Sequence, residues 1–550
     1  MGERRTALVL TFILALLLFS AVAGAIFVKL AEANFFPIPI PQPAFVIRSD
    51  GSVDPSTAPI QRVGNVYTFT DNIIGFTIAV ERDNVVLDGG GYTLQGNGNS
   101  TGLFIKNRNG VTVRNMKIRD FHYGIRLFAE IYLSGTSASN TLSGNTVTNN
   151  DYGIYISSSS NNMLRNNRME NNSYNFYVTG KFSNDIDDSN TVDGKPIYYW
   201  VNEHDKTAPS DAGYVALVDC ANITVQNLNL ANNGQGIVLV STTNSVITKN
   251  HIANTGTGIY ISESSNLIIV ENNIANNGDG IKGDTSSNNS ISSNNITKNE
   301  SGIYFTGASE NNIISGNTVT ENTVDGIHLW GSRNSNIAEN TITNNNETGI
   351  NFFDSQDNKM IRNTITGNNG YGIKLWYHSN ENTVSENHIA NNSIGILIEG
   401  SFDNNIIGNM LTENNGWGIR LEGSQNNNVI YHNSFVDNKV EEGLQVSIPG
   451  EWTMDGMKSG GGNVWDNGTV GNYWSDYLVR YPNATEIDGS GVGDTPFYIN
   501  ENNIDRYPVM DAAIIPEFPS WTPLLLALTV LAVALTIYKQ KLRKPKDARI

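Results

Sequence analysis

The sequence predicts an all-β fold, a parallel β-helix wound in coils of about 22–23 residues. Three observations carry this. A Gly-Ile dipeptide recurs at Gly236, Gly258, Gly280, Gly302, Gly326, Gly349, Gly372, Gly395 and Gly418, with Gly443-Leu444 after them, in steps of 22 to 25 residues. An Asn series runs in phase with it, at Asn250, Asn272, Asn294, Asn317, Asn340, Asn363, Asn387, Asn409 and Asn433. Each period holds three very short strand-like pieces separated by turn residues, as in GIYIS, NLIIV and NNIAN between Gly258 and Asn276. A leucine-rich repeat would need an L-x-x-L-x-L frame and a helical half, and the chain has neither. Three strands and three turns close one coil.

The register has a physical basis. Inward Ile, Val and Leu stack on their equivalents at the strand spacing of about 4.8 Å. Asn at inward or corner positions can bond along the axis, side chain to side chain and side chain to backbone. The glycine of each repeat is expected to keep the outer surface low, like the floor of a groove. Because each coil touches only its neighbours, the two ends need caps.

The elements follow in order. Residues 45–88 alternate apolar and polar without a period and are expected to form an N-terminal β cap. The helix is expected over 89–448, entered through Gly102-Leu103, Gly124-Ile125 and Gly153-Ile154. Irregular steps place insertions near 128–140 and 191–211, expected to project as loops. Residues 449–511, rich in Trp, Tyr and Gly, should cover the far end.

Both termini are hydrophobic. MGERR leads into an apolar run, so residues 1–33 read as a signal peptide or N-terminal membrane anchor, with A-x-A sites at Ala21/Ala23 and Ala31/Ala33. After a linker at 512–523, the apolar stretch ending at Tyr538 predicts a transmembrane helix over 524–538, and 539–550 is a basic tail. Positive charge stays on the cytoplasmic side, which places everything before the helix outside the cell.

Composition narrows the partners. Asp and Glu number 53 against 35 Lys and Arg, a formal net charge of −18, which disfavours nucleic acid and anionic lipid surfaces. The single cysteine, Cys220, excludes an intrachain disulfide and a Cys-based metal cage. Sequons occur at Asn99, Asn171, Asn222, Asn288, Asn295, Asn299, Asn346, Asn391, Asn467 and Asn483, sites an exported glycoprotein could use.

Beyond the repeat frame, VVLDGGGYTLQG at the first coil, DGKPIYYW in the second insertion and GNYWSDY, GDTPFYI and IDRYPVM near the end stand out. Together these resemble the NosD-like right-handed parallel β-helix family, with repeats of the carbohydrate-binding and sugar-hydrolase type, over most of Phe45 to Met510. The resemblance implies a right-handed, single-stranded helix. It fixes function weakly, because one scaffold carries many sites. PEFPSW, at Pro516–Trp521, resembles an archaeal C-terminal sorting signal at which the tail is replaced by a lipid anchor. A retained membrane helix is the alternative.

The family name suggests copper delivery, which needs clustered His, Met or Cys. The seven histidines, His122, His204, His251, His328, His378, His388 and His432, form no tight motif, and a copper-chaperone role is disfavoured. Sugar binding fits better. In a strand G-I-x-h-x the two x positions face outward. This reading selects Tyr304, His328, Trp330, Phe353, Lys374, Trp376 and Arg420 as substrate-binding candidates. Flat aromatics suit the apolar faces of sugar rings, and their charged neighbours suit hydroxyl or uronate groups. Aromatic protection of a sheet face is the competing structural reading.

Catalysis would need two carboxylates about 5–10 Å apart, for which Glu399 and Glu422 on adjacent coils are candidates. A polysaccharide hydrolase or lyase is therefore an alternative, as is a structural or adhesive spacer. DGSGVGD spaces Asp488, Ser490 and Asp494 like the front half of a calcium loop but lacks the distal Glu. The expected partner is a polysaccharide or cell-surface glycan, with Ca2+ the only cofactor considered.

Overall fold

The computed structural model describes residues 40–130, 135–423, 427–439, 445–448 and 462–511. The expected leader over 1–33, the Gly443-Leu444 pair, the helix over 524–538 and the basic tail lie outside the described residues. Among the described residues, no helix is long and apolar enough to cross a membrane. The chain divides into two compact units, Met1–Phe305 and Thr306–Ile550.

Both units are built from parallel β-helical coils. In the first, one coil runs through Thr257–Ser262, Ile268–Val270 and Asn273–Ala275. The next long strand, Asp279–Asp284, pairs in parallel with Thr257–Ser262 and sets Ile281 against Ile259. In the second, a coil runs through Tyr371–Trp376, Thr383–Ser385 and His388–Ala390. Here Ile327, Ile350, Ile373, Ile396 and Ile419 are successive register partners. In the second unit one long-strand sheet and two sheets of three-residue strands surround an apolar interior, whereas in the first the long strands fall in two sheets, one ending at Tyr174–Thr179 and the other starting at Lys195–Val201. Ile259, Ile281 and Ile303 are fully buried in the first unit, as is the isoleucine file of the second. Each such side chain contributes about 1.5–3 kcal/mol by leaving water.

The repeat glycines lie inside the wall and floor no outer groove. A Cβ on Gly349 would sit 2.6 Å from both the Gly372 carbonyl oxygen and Ile365 Cγ2, so only hydrogen lets successive coils close. Gly283 serves another purpose. A Cβ there would meet the Phe305 ring at 2.3 Å, so the missing side chain makes room for that ring.

The corners explain the asparagines. Glu339, Arg362 and Glu386 adopt φ of 57°, 54° and 58°, a left-handed kink that turns the next residue inward. That residue is a ladder Asn. Asn363 donates to the Ile337 carbonyl at 2.8 Å, and its Oδ1 accepts the backbone and side-chain N–H of Asn340 at 3.0 and 2.9 Å. Two more files run beside this one. Asn345, Asn368, Asn392 and Asn414 form one. Asn358, Asn382, Asn404 and Asn428 form the other. Every corner of the coil therefore carries a ladder.

At the N-terminal end, residues 45–88 contribute to the helix as well as to its edge. Ala44–Ile47 pairs in parallel with Thr77–Val80, and Val66–Phe69 with Val86–Asp88. Val53–Asp54 and Ile60–Val63 add antiparallel edge strands. At the far end Asn463 and Asn472 prolong two ladders from Asn428 and Asn433. Phe435, Trp474 and Phe497 stack at centroid distances of 4.4 and 4.2 Å and close the core.

The 191–211 insertion departs from expectation: its first half is wall, where a projecting loop was expected. Thr191–Val192 pairs with Arg168–Met169. The chain then reverses at Asp193-Gly194, and Lys195–Val201 runs antiparallel to Thr191–Val192 and parallel to Tyr214–Val218. Ile197 and Tyr199 are buried, and the Tyr199 hydroxyl donates to the Phe182 carbonyl. The alternation in KPIYYWV encodes a strand buried on one face. A further coil was hidden in the sequence: Tyr174–Thr179 is a long strand carrying Asn175 where the others carry glycine.

Candidate functional site

The outward face of the long-strand sheet in the second unit gathers most of the sequence candidates. Residues two apart on a strand share a face, so the pleat sends His328 and Trp330 outward while Ile327 and Leu329 enter the core. Parallel register then files His328, Asn351 and Lys374 together, and beside them Trp330, Phe353 and Trp376. The Phe353 ring centroid is 5.5 Å from Trp330 and 4.6 Å from Trp376, edge-on in both cases. Tyr377 lies parallel to Phe353 at 4.8 Å. Trp330 and Tyr377 are 47% and 48% exposed and flank the strip.

Beneath the rings runs a polar chain. Asp325, almost fully buried, accepts from the Thr348 backbone at 3.0 Å and from Asn351 Nδ2 at 2.8 Å, and its Oδ2 is 3.0 Å from His328 Nδ1. Asn351 Oδ1 in turn accepts the Trp376 indole N–H at 2.9 Å. Lys374 Nζ lies 4.1 Å from the Trp376 ring centroid, a cation–π contact on the indole face. Arg420 sits 5.0 Å from the Trp417 ring and pairs with Glu422. The strip is therefore held in place by its own neighbours.

Six of the seven substrate-binding candidates, from His328 to Arg420, stand on this sheet. Tyr304 belongs to the first unit, where Lys282 lies 5.1 Å from its ring. Sequence reasoning missed three members. Asp325 precedes the repeat glycine at a corner, Asn351 reads in the sequence as an ordinary outward position, and Tyr377 follows Trp376 directly. The phase of D-G-I-H-L-W was the one available signal for Asp325.

Glu399 and Glu422 are register partners on adjacent coils, as expected. Both stand on the same sheet, and Arg420 pairs with Glu422. In the turn proposed for calcium, Asp494 accepts from the Thr485 backbone and hydroxyl at 3.0 and 2.7 Å. These bonds hold its carboxyl below the usual range. Ser490 donates to the Ile487 carbonyl at 2.5 Å. Asp494 and Ser490 are thus engaged by Thr485 and Ile487, on the chain just before the turn.

A family model described as "Periplasmic copper-binding protein (NosD)" matches residues 60–207 and 309–479, and one for the right-handed β-helix region matches 210–342. No curated protein sequence matches the chain. Among solved structures, a mutant of the periplasmic alginate epimerase AlgG is 15% identical with a TM-score of 0.37, covering 71% of this chain and 80% of its own. The A-module of the Azotobacter vinelandii mannuronan C-5 epimerase AlgE6 is 15% identical with a TM-score of 0.31, covering 69% and 92%. The catalytic domain of a GH87 α-1,3-glucanase is 14% identical with a TM-score of 0.35, covering 57% and 62%. At these values the likenesses bear on none of the residues above.

Copper can be tested against the side chains, because all seven histidines and the one cysteine are among the described residues. Cys220 is buried and its thiol donates to the Trp200 and Val218 carbonyls, and burial pushes its pKa up. His122 and His204 lie beside single aspartates. His388 stands next to Met410 on an exposed sheet face, with Thr364 and Ser434 on either side. Among the described residues no three of His, Cys, Asp and Glu converge. Among the described residues the histidines and Cys220 thus form no cluster with one another or with carboxylates of the kind a copper centre uses.

Proposed function

From a chain that belongs to the NosD family of right-handed β-helix proteins, we propose an exported protein that binds polysaccharide or glycoconjugate along the aromatic face of its second unit. The carrying observation is the strip Trp330–Phe353–Trp376–Tyr377, with Trp330 and Tyr377 half-exposed, the rings packed on one another, and Trp376 tied through Asn351 to Asp325. Rings held in place cost little further ordering when a sugar stacks on them. His328 and Lys374 border the strip, Arg420 stands two coils beyond Lys374 on the same sheet, and together they supply polar groups for sugar hydroxyls. Export agrees with the charged and apolar start of the sequence and with the family's periplasmic description. Attachment to the membrane through 524–538 is part of the same proposal.

The test is binding of the purified full chain to a panel of neutral and acidic glycans, against the double variant Trp330→Ala/Tyr377→Ala. A loss of tenfold or more in affinity, with unchanged thermal unfolding, supports the reading. Equal binding by both proteins, or none by either, ends it.

A further inference from the structure

The first unit carries an aromatic face that the reading above does not use. On the outer side of the long-strand sheet that ends at Tyr174–Thr179, parallel register files the buried Phe104 with Arg126, Tyr155 and Tyr177 on successive strands, with Tyr123, Tyr152 and Tyr174 beside them. Tyr123 and Tyr152 stack at 4.8 Å, Tyr152 and Tyr174 are 5.1 Å apart, and Tyr155 meets Tyr177 edge-on at 5.2 Å. The five tyrosines are half-buried. No hydroxyl of the five has a hydrogen-bond partner among the described residues.

Arg126 sits within this cluster. Its guanidinium carbon is 4.7, 4.6 and 5.9 Å from the ring centroids of Tyr123, Phe128 and Tyr155. Its Nε is buried without a partner. It has no hydrogen bond or ion pair among the described residues. Six other arginines of this unit, Arg48, Arg108, Arg114, Arg119, Arg165 and Arg168, each pair with a carboxylate. The acidic groups nearest the cluster are already engaged: Asp151 with His122 at 2.7 Å, and Glu130 with Lys106 at 2.7 Å. In a chain with more acids than bases, one guanidinium is left among phenol rings with no carboxylate.

We propose that this face is a second saccharide site, selective for a polysaccharide bearing carboxylates, with Arg126 as the carboxylate ligand and the tyrosine rings as stacking surface. The donor set suits such a ligand: a guanidinium and five phenol hydroxyls, with Asp151 beside His122 and Glu130 beside Lys106. A charge-assisted Arg–carboxylate contact is strong when its surroundings exclude water. A uronate polymer carries one carboxylate per sugar and a ring face for the aromatics. The proposal shares only the ligand class with the reading above and uses none of its residues.

The test compares polygalacturonate with its methyl ester on the purified full chain, so that only the carboxylate differs. The wild type should prefer the acid by tenfold or more. Arg126→Gln should erase that preference. Tyr155→Phe, which keeps the ring and the strand, should weaken acid binding two- to threefold. Trp330→Ala/Tyr377→Ala should leave the preference intact even if it lowers binding of neutral glycans. An Arg126→Gln protein that still prefers the acid, or a wild type that binds both forms equally, overturns the proposal. Loss of the preference in the Trp330/Tyr377 variant alone assigns the carboxylate to the second unit and overturns it as well.

Discussion

Trp376 donates its indole N–H to Asn351 one coil earlier, at 2.9 Å, and Asn351 donates to Asp325 one coil earlier again, at 2.8 Å. A surface ring is thereby tied to a buried carboxylate through two rungs of the helix. Asn351→Leu keeps the strand and removes both bonds, so the Trp376 ring should swing more freely. Glycan affinity should fall three- to tenfold with little change in fold, read by affinity electrophoresis. Unchanged affinity would show that the ring needs no support.

Asp325 holds three partners, the Thr348 backbone, Asn351 and His328. Asp325→Ala leaves a buried N–H and a buried amide unpaired, at about 2–4 kcal/mol. Urea unfolding should show this loss, with weaker glycan binding beside it. Asp325→Asn can still accept through its one carbonyl oxygen and should lose less.

Gly349→Ala inserts a methyl 2.6 Å from the Gly372 carbonyl. Backbone yields poorly, so the cost should be about 1–3 kcal/mol, and the effect concerns stability rather than ligand. A thermal midpoint equal to wild type would falsify the close-approach reading of the repeat glycines.

Asn363→Ala removes the acceptor of two Asn340 donors and the donor to Ile337. The expected loss is about 2–4 kcal/mol, since all three groups are buried. Asn369, whose exposed side chain donates to Asn346 at 2.9 Å, is the matched control. Its change to alanine should stay within about 0.5 kcal/mol.

Asp505 lies buried under the C-terminal cap, and burial raises its carboxyl from 3.8 to about 7 despite donors from Asn472, Trp474 and Tyr507. The folded state holds this proton more tightly than the unfolded chain. Its contribution is therefore fully present below about pH 4, is lost as pH rises toward 7, and is constant beyond. The span is at most about 4 kcal/mol. Asp505→Asn should remove that slope. Urea midpoints from pH 4.5 to 7.5 that fall in parallel for both proteins would contradict the shifted carboxyl.

The sequence by itself determined the coil. A period of 22–23 residues places Ile327, Ile350 and Ile373 on one axis, and each contact is between neighbours, so a one-dimensional pattern suffices to write it. The Asn ladder was legible for the same reason. Tertiary structure decided what the repeat does not encode. Asn175 in a glycine position hid one coil, and the reversal at Asp193-Gly194 turned a supposed loop into wall. On the outer face no period constrains the side chains. Which neighbours fix Trp376, and whether Arg126 meets a carboxylate, depend on the residues that adjacent coils bring beside them. Inward positions answer to stacking alone, whereas outward ones answer to whatever the next winding presents.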